Sequence, residues 1–148
     1  MVMRTWLEEL SPEECRYRLA TNVLGRIAVF VDGRPEIFPV NHAFDERTGS
    51  VVFPTNAGTK AWGALHWPWL SFEIDGIEAE GEPGEGPYGW SVLVVGRAEE
   101  LTSAEEVHRA QARRPIVWAV GPTTRWLRIV PARVTGRRIR MVSAPDGV

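Results

Sequence analysis

The chain has 148 residues, 44% hydrophobic and 24% charged, with a net charge of −2 at pH 7. This is one domain's worth of globular chain, with enough apolar residues for a full core and no electrostatic reason to expect nucleic acid. A single cysteine, Cys15, excludes an intrachain disulfide and a four-cysteine metal site and fits a reducing cytoplasm, while no run reaches the roughly 18 apolar residues of a membrane span. His42, His66 and His108 show no metal-ligand spacing with one another or with Cys15. The first ten residues, M-V-M-R-T-W-L-E-E-L, hold two acids and no long apolar run, so no signal peptide is expected.

Ser11-Pro12-Glu13-Glu14 starts a helix: a hydroxyl cap, proline at the first helical position, then acids at the positive end of the dipole. It is expected to run to Ala20 and to bury Cys15, Leu19 and Tyr17. Residues 24–31, L-G-R-I-A-V-F-V, read as a strand, and Asp32-Gly33 as a two-residue hairpin turn. Residues 35–44 form the return strand, with Pro39 denying one ladder hydrogen bond, so the strand bulges there or faces something other than a strand. A turn at 45–49 leads into Val51-Val52-Phe53, a strand that Pro54 is expected to close.

Next comes Thr55-Asn56-Ala57-Gly58-Thr59, then a short helix over residues 60–65. A strand turning into a helix leaves the first helical N–H groups pointing at the turn. Those groups, the helix dipole, the hydroxyls of Thr55 and Thr59 and the ammonium of Lys60 suit one phosphate monoester. The same residues also make an ordinary helix N-terminus with Thr59 as cap and Lys60 in solvent, and this segment alone favours that reading. T-x-x-G-T-K lacks the spacing of a nucleotide-triphosphate loop.

Residues 67–75 read as the next strand, and 77–89 as one long acidic, glycine- and proline-rich loop, with the composition of a lid. Residues 90–101, W-S-V-L-V-V-G-R-A-E-E-L, follow as a strand with a bulge at Gly96. Ser103-x-x-Glu106 caps a helix running to Arg113. Residues 124–142 read as a strand pair broken near Thr135-Gly136. At least six strands, three short helices and few βαβ spacings indicate a mainly β (α+β) antiparallel barrel, a single domain over residues 1–148.

No Gly-x-Ser-x-Gly elbow is present, and the paired acids sit at helix starts or exposed edges, so neither a serine hydrolase nor an acid–base pair stands out. The patch Arg137-Arg138-x-Arg140 could bind an anion, but a solvated strand end is the favoured reading. Arg125 and Arg128, flanking Trp126, are better anion candidates, since an arginine beside a tryptophan suits a phosphate next to a ring.

The order hairpin, P-V-N-H, strand, T-x-x-G-T-K, helix, strand, loop, W-S-V-L-V-V-G-R-A resembles the pyridoxamine 5′-phosphate oxidase-like family of FMN-binding split β-barrels. It is most similar to the small actinobacterial-type members grouped with nitroimidazole-resistance proteins and deazaflavin-dependent reductases. The resemblance covers residues 11–141 and rests on motif order, with G-W-S-V and T-G-R-R-I, more than on any one motif. It implies a cytoplasmic homodimer with the cofactor at the subunit interface. Pro39, Val40 and Asn41 would line the isoalloxazine edge through backbone groups, Thr55, Thr59 and Lys60 would hold the phosphate, and Trp90, Ser91 and Val92 would lie near the ring or ribityl chain. The C-terminal segment of pyridoxal phosphate-making members has no match here, and His42 stands where relatives often carry an aromatic residue. The expectation is therefore an FMN oxidoreductase acting on a small molecule, with no metal, membrane or nucleic-acid partner. A deazaflavin-dependent reductase and a non-enzymatic flavin- or haem-binding protein are the alternatives.

Overall fold

The computed structural model describes residues 3–56, 69–81, 83, 85–113 and 124–143. Among them lie eight strands and two helices: β1 (Met3–Glu9), α1 (Pro12–Thr21), β2 (Leu24–Val31), β3 (Arg34–Asn41), β4 (Ala43–Asp45), β5 (Ser50–Asn56), β6 (Trp69–Glu78), β7 (Tyr88–Glu100), α2 (Ala104–Ala112) and β8 (Thr124–Ser143). The helix expected over residues 60–65 lies outside the described residues.

Period-2 alternation drives the sheet. Ile27, Val29 and Val31 of β2, Leu70, Phe72 and Ile74 of β6, and Val92 and Val94 of β7 are buried, while the residues between them face outward. With Phe53, Leu127 and Ile129 they fill one core. Each such side chain contributes roughly 1.5–3 kcal/mol by leaving water.

The strands are ordered β3-β2-β6-β7-β8-β5-β4, all neighbours antiparallel, with β1 also on β8. The two end strands, β3 and β4, are consecutive in the chain and joined through His42 alone. The sheet therefore curls round on itself without a closing ladder, which is the split barrel. Pro39 sits on β3, an end strand bonded only to β2, where a missing N–H costs least.

Two strand expectations differ from what folds, and one strand was not expected. Pro54 does not end its strand: β5 continues to Asn56, with Pro54 opposite Trp126. Beyond Val52 only β8 pairs with β5, so a residue without an N–H fits the free edge. Nor does the chain break at Thr135-Gly136, because β8 is one strand of 20 residues. Gly136 is there for close packing. A Cβ on it would lie 2.6 Å from Cys15 Sγ and 2.9 Å from Leu10 Cβ. Finally β1, with no turn or cap to announce it, pairs with Arg137–Ser143 of β8.

Helix α1 covers the gap this leaves. One edge of β8 pairs with β5 through Ile129 and with β1 from Arg137, and between them Leu10 donates its N–H to Gly136 O at 2.9 Å. The helix starts as expected, Ser11 Oγ accepting the Glu14 N–H at 3.1 Å, and buries Cys15 and Leu19. Tyr17, expected inside, is exposed, one step round the helix from the buried face. The expected hairpin turn forms at Asp32-Gly33, and the register of β7 on β8 shifts between Val95 and Gly96, where the bulge was expected. Ser103 caps α2, whose Arg113 end is tied to Asp45 at 2.7 Å.

Candidate functional site

Register maps the outer face of the barrel. Pro39 of β3 stands opposite Arg26, Arg26 opposite Glu73, and Glu73 opposite Leu93, one line across four strands. The next line on the same face is Ile37, Ala28, Ser71 and Val95. Three inter-strand steps make the span about 14 Å. Between the lines lies an apolar groove of about 430 Å³, lined by Arg26, Ala28, Ile37, Ser71, Glu73 and Leu93. Ile37 is 71% exposed, unusual for an isoleucine with no partner over it.

Charge sits at one side of the groove. Arg26 Nη1 lies 3.1 Å from Asp75 Oδ1 and 3.5 Å from Glu73 Oε2. Burial and the neighbouring Asp75 carboxylate push the Glu73 carboxyl above its ordinary range, with Arg26 opposing.

The expected site residues divide between the two faces. Pro39 and Asn41 lie on the outer face of β3, and Ser91 on the outer face of β7 opposite Asp75 and Arg137. Val40, Trp90 and Val92 alternate with them and point inward, Val92 with no exposed surface. Both edges of β7 are bonded into ladders around Trp90 and Val92, and the Trp90 ring is covered by the Arg18 guanidinium at 4.4 Å. Thr55 is buried near the end of β5, opposite Arg125. Thr59 and Lys60 lie outside the described residues.

The arginines singled out as anion ligands are already engaged. Arg125 donates to both Glu100 oxygens at 2.7 and 2.6 Å, and Arg128 to Glu99 and Glu106 at 3.0 and 2.8 Å. They hold β8 to β7 and α2. Arg138 and Arg140 are not a solvated strand end either, since both side chains turn into the barrel. Among the described residues no group of three His, Cys, Asp or Glu side chains is placed to hold a metal ion, and no helix is long and apolar enough to cross a membrane.

The sequence profile of the pyridoxamine 5′-phosphate oxidase family matches residues 11–138. The chain belongs to this family. Among solved structures it is similar to the FAD binding protein from Mycobacterium smegmatis, with 32% identity over 90% of this chain and 98% of that one and a TM-score of 0.72. A FAD-binding protein from Mesorhizobium loti is 26% identical, covering 93% and 99% of the two chains, with a TM-score of 0.69. An uncharacterized protein of Mycobacterium tuberculosis is 30% identical over 97 residues, 66% of this chain and 82% of that one.

Family membership and split-barrel architecture thus stand as the motif order suggested. The strand β1 lies ahead of the matched residues. Sequence reading missed the groove residues Arg26, Ala28, Ile37, Ser71, Glu73 and Leu93. A signal was available: Ile37 and Leu93 occupy outward positions of amphipathic strands, where a lone barrel would carry polar residues.

Proposed function

We propose that this chain binds a flavin nucleotide with its ring in the outer-face groove between β3 and β7, and that it acts as an oxidoreductase on a small molecule. The observation that carries the reading is the exposed apolar groove of Ile37, Ala28 and Leu93 beside Pro39. A flat aromatic ring needs an apolar bed with a few polar groups at its rim. Asn41 and Ser91 supply side-chain hydrogen bonds at that rim, and Pro39 leaves a strand edge open to the ring instead of to a ladder. Val40 and Val92 stiffen the strands beneath, and Trp90 packs the wall behind Ser91. Thr55, Thr59 and Lys60 take the phosphate. The bound flavin supplies hydride and electron transfer, and the protein supplies position and electrostatics.

The flavin we propose is FMN, since the residues assigned to the phosphate, Thr55, Thr59 and Lys60, bring a single cation. Two relatives are FAD-binding proteins, so the identity of the nucleotide is tested directly. A second copy of the chain completes the site by covering the groove and its apolar neighbours.

Purified protein should show a flavin absorption spectrum, and heat-released cofactor should co-migrate with FMN rather than FAD on chromatography. Lys60→Ala should weaken FMN binding about tenfold to a hundredfold, the loss of one charge-assisted contact. Light scattering should give about twice the 16.6 kDa chain mass, and Ile37→Arg should abolish both flavin binding and that dimer. Anaerobic NADH or NADPH should bleach the flavin, and a quinone or nitroaromatic should restore its colour faster than oxygen. A colourless monomer that takes up no FMN or FAD would end this reading.

A further inference from the structure

Inside the barrel, below the connection from β6 to β7, the apolar rule fails. Two inward rows cross β6, β7, β8 and β1: Gly76, Trp90, Arg138 and Glu8, then Glu78, Tyr88, Arg140 and Trp6. Arg18 of α1 enters the same place, 4.4 Å above the Trp90 ring, its Nη1 on Glu78 Oε1 at 2.6 Å and its Nη2 on the Tyr88 hydroxyl at 3.0 Å. Arg138 stacks 3.8 Å from the Tyr88 ring centre. The side chains of Arg18, Arg138 and Arg140 are only 12%, 19% and 23% exposed.

These groups are short of acceptors. Six buried side-chain polar atoms lack a partner among the described residues, and four of them are here: Nε of Arg18, Arg138 and Arg140, and Nε1 of Trp90, itself 5% exposed. All four are N–H donors. The carboxylate that descends on them from the connection is Glu85, which hydrogen-bonds Arg140 but stays 3.8 Å from Arg138, beyond hydrogen-bond reach. Glu8 holds the other Arg140 nitrogen. Water is a poor filler, because it brings two donors of its own to a place whose carboxylates are already taken. An oxyanion is acceptor only, and a tetrahedral one aims four oxygens in directions that a planar carboxylate cannot.

We propose that this inner mouth is a second ligand site, for a phosphate-class oxyanion, with Glu85 as the chain's own carboxylate standing in it. It is separate from the outer-face groove, and it does not depend on flavin binding. An arriving phosphate displaces Glu85 and accepts hydrogen bonds from Arg138, Arg140, Arg18 and Trp90.

The test is titration of the full-length protein with inorganic phosphate by calorimetry, with acetate at matched ionic strength as the planar comparison. Glu85→Gln should bind phosphate about tenfold more tightly than the wild type, because the internal competitor is gone. Acetate should bind both proteins more weakly than phosphate. Adding Arg138→Met should remove the affinity gained with Glu85→Gln, while that gain should persist when Lys60→Ala is added instead. Should the Arg138 variant fail to fold, the thermal midpoint of Glu85→Gln serves instead: phosphate should raise it and matched chloride should not. Equal phosphate affinity in wild type and Glu85→Gln, no selective thermal shift, or binding lost with Lys60→Ala but kept without Arg138 would each overturn the proposal.

Discussion

His42 shows what one side chain does when its surroundings refuse its charge. It is 2% exposed, its Nε2–H donates to Leu19 O at 3.0 Å, its ring meets Phe72 edge-on, and Nδ1 has no partner among the described residues. Burial holds the imidazole below its ordinary value of 6.5, against smaller opposing effects of backbone hydrogen bonds at Leu19 and Val23. The unfolded chain therefore takes up a proton, as pH falls through 6.5, that the folded chain refuses. The stability that neutral His42 contributes is complete above that value and is lost as pH falls toward the depressed folded value. Urea midpoints should drop between about pH 7 and pH 5, and His42→Phe should flatten that slope. Glu73 has the opposite sign. Its carboxyl is pushed up by burial and by Asp75, so it favours folding at low pH and opposes it once ionised. Glu73→Gln should stabilise the protein at neutral pH by roughly half a kcal/mol, screened by solvent, and the gain should vanish below about pH 4. A gain that persists in acid would assign the effect to packing instead.

Elements meet most tightly where α1 crosses β8. The contact needs Gly136 because Cys15 Sγ and Leu10 already occupy the space of a side chain. Gly136→Ala should cost about 1–3 kcal/mol, the usual penalty for overpacking, read from denaturant unfolding. Cys15→Ala in the same chain should restore part of that loss, since it vacates the nearer of the two positions; strict additivity would place the strain at Leu10 alone. The other helix is held differently. Arg113 reaches Asp45, and Arg128 reaches Glu106, so α2 rests on ion pairs at both ends with Val107 and Ala110 between. Burial raises the Asp45 carboxyl, but Arg113 and the Arg47 N–H pull it below its ordinary 3.8. The contribution of this anchor is present above that pH and fades in acid.

At the scale of the molecule β8 is the spine, bonded to β7 along one edge and to β5 and β1 in turn along the other. Because the strands form one continuous sheet through β8, unfolding should be one cooperative transition. The strand β1 lies off this path and pairs with β8 alone. Removing residues 1–9 while keeping Leu10 should leave a folded barrel of lower stability. Amide exchange should then quicken at 137–143 of β8 and stay slow at 124–129, where β5 still covers the edge. Equal quickening in both halves would mean that β1 stabilises the whole barrel and not only its edge.

Sequence alone determined whatever depends on near neighbours in the chain. The Ser11 and Ser103 caps, the Asp32-Gly33 turn, the alternation of β2 and the shift near Gly96 all follow from forces acting within a few residues, and the order of such motifs pointed to the family. Where a partner lies far along the chain, only the tertiary structure decided. Pro54 stays in a strand because one edge of β5 is free, Gly136 lies within a strand because α1 presses on it, and β1 exists because β8 offers an edge. The site residues came from the family resemblance and not from local forces, and strand pairing divides them, bringing Pro39, Asn41 and Ser91 to one face with Ile37 and Leu93 and turning Val40, Trp90 and Val92 inward. A side chain's type is local; the face it serves is set by the strand laid beside it.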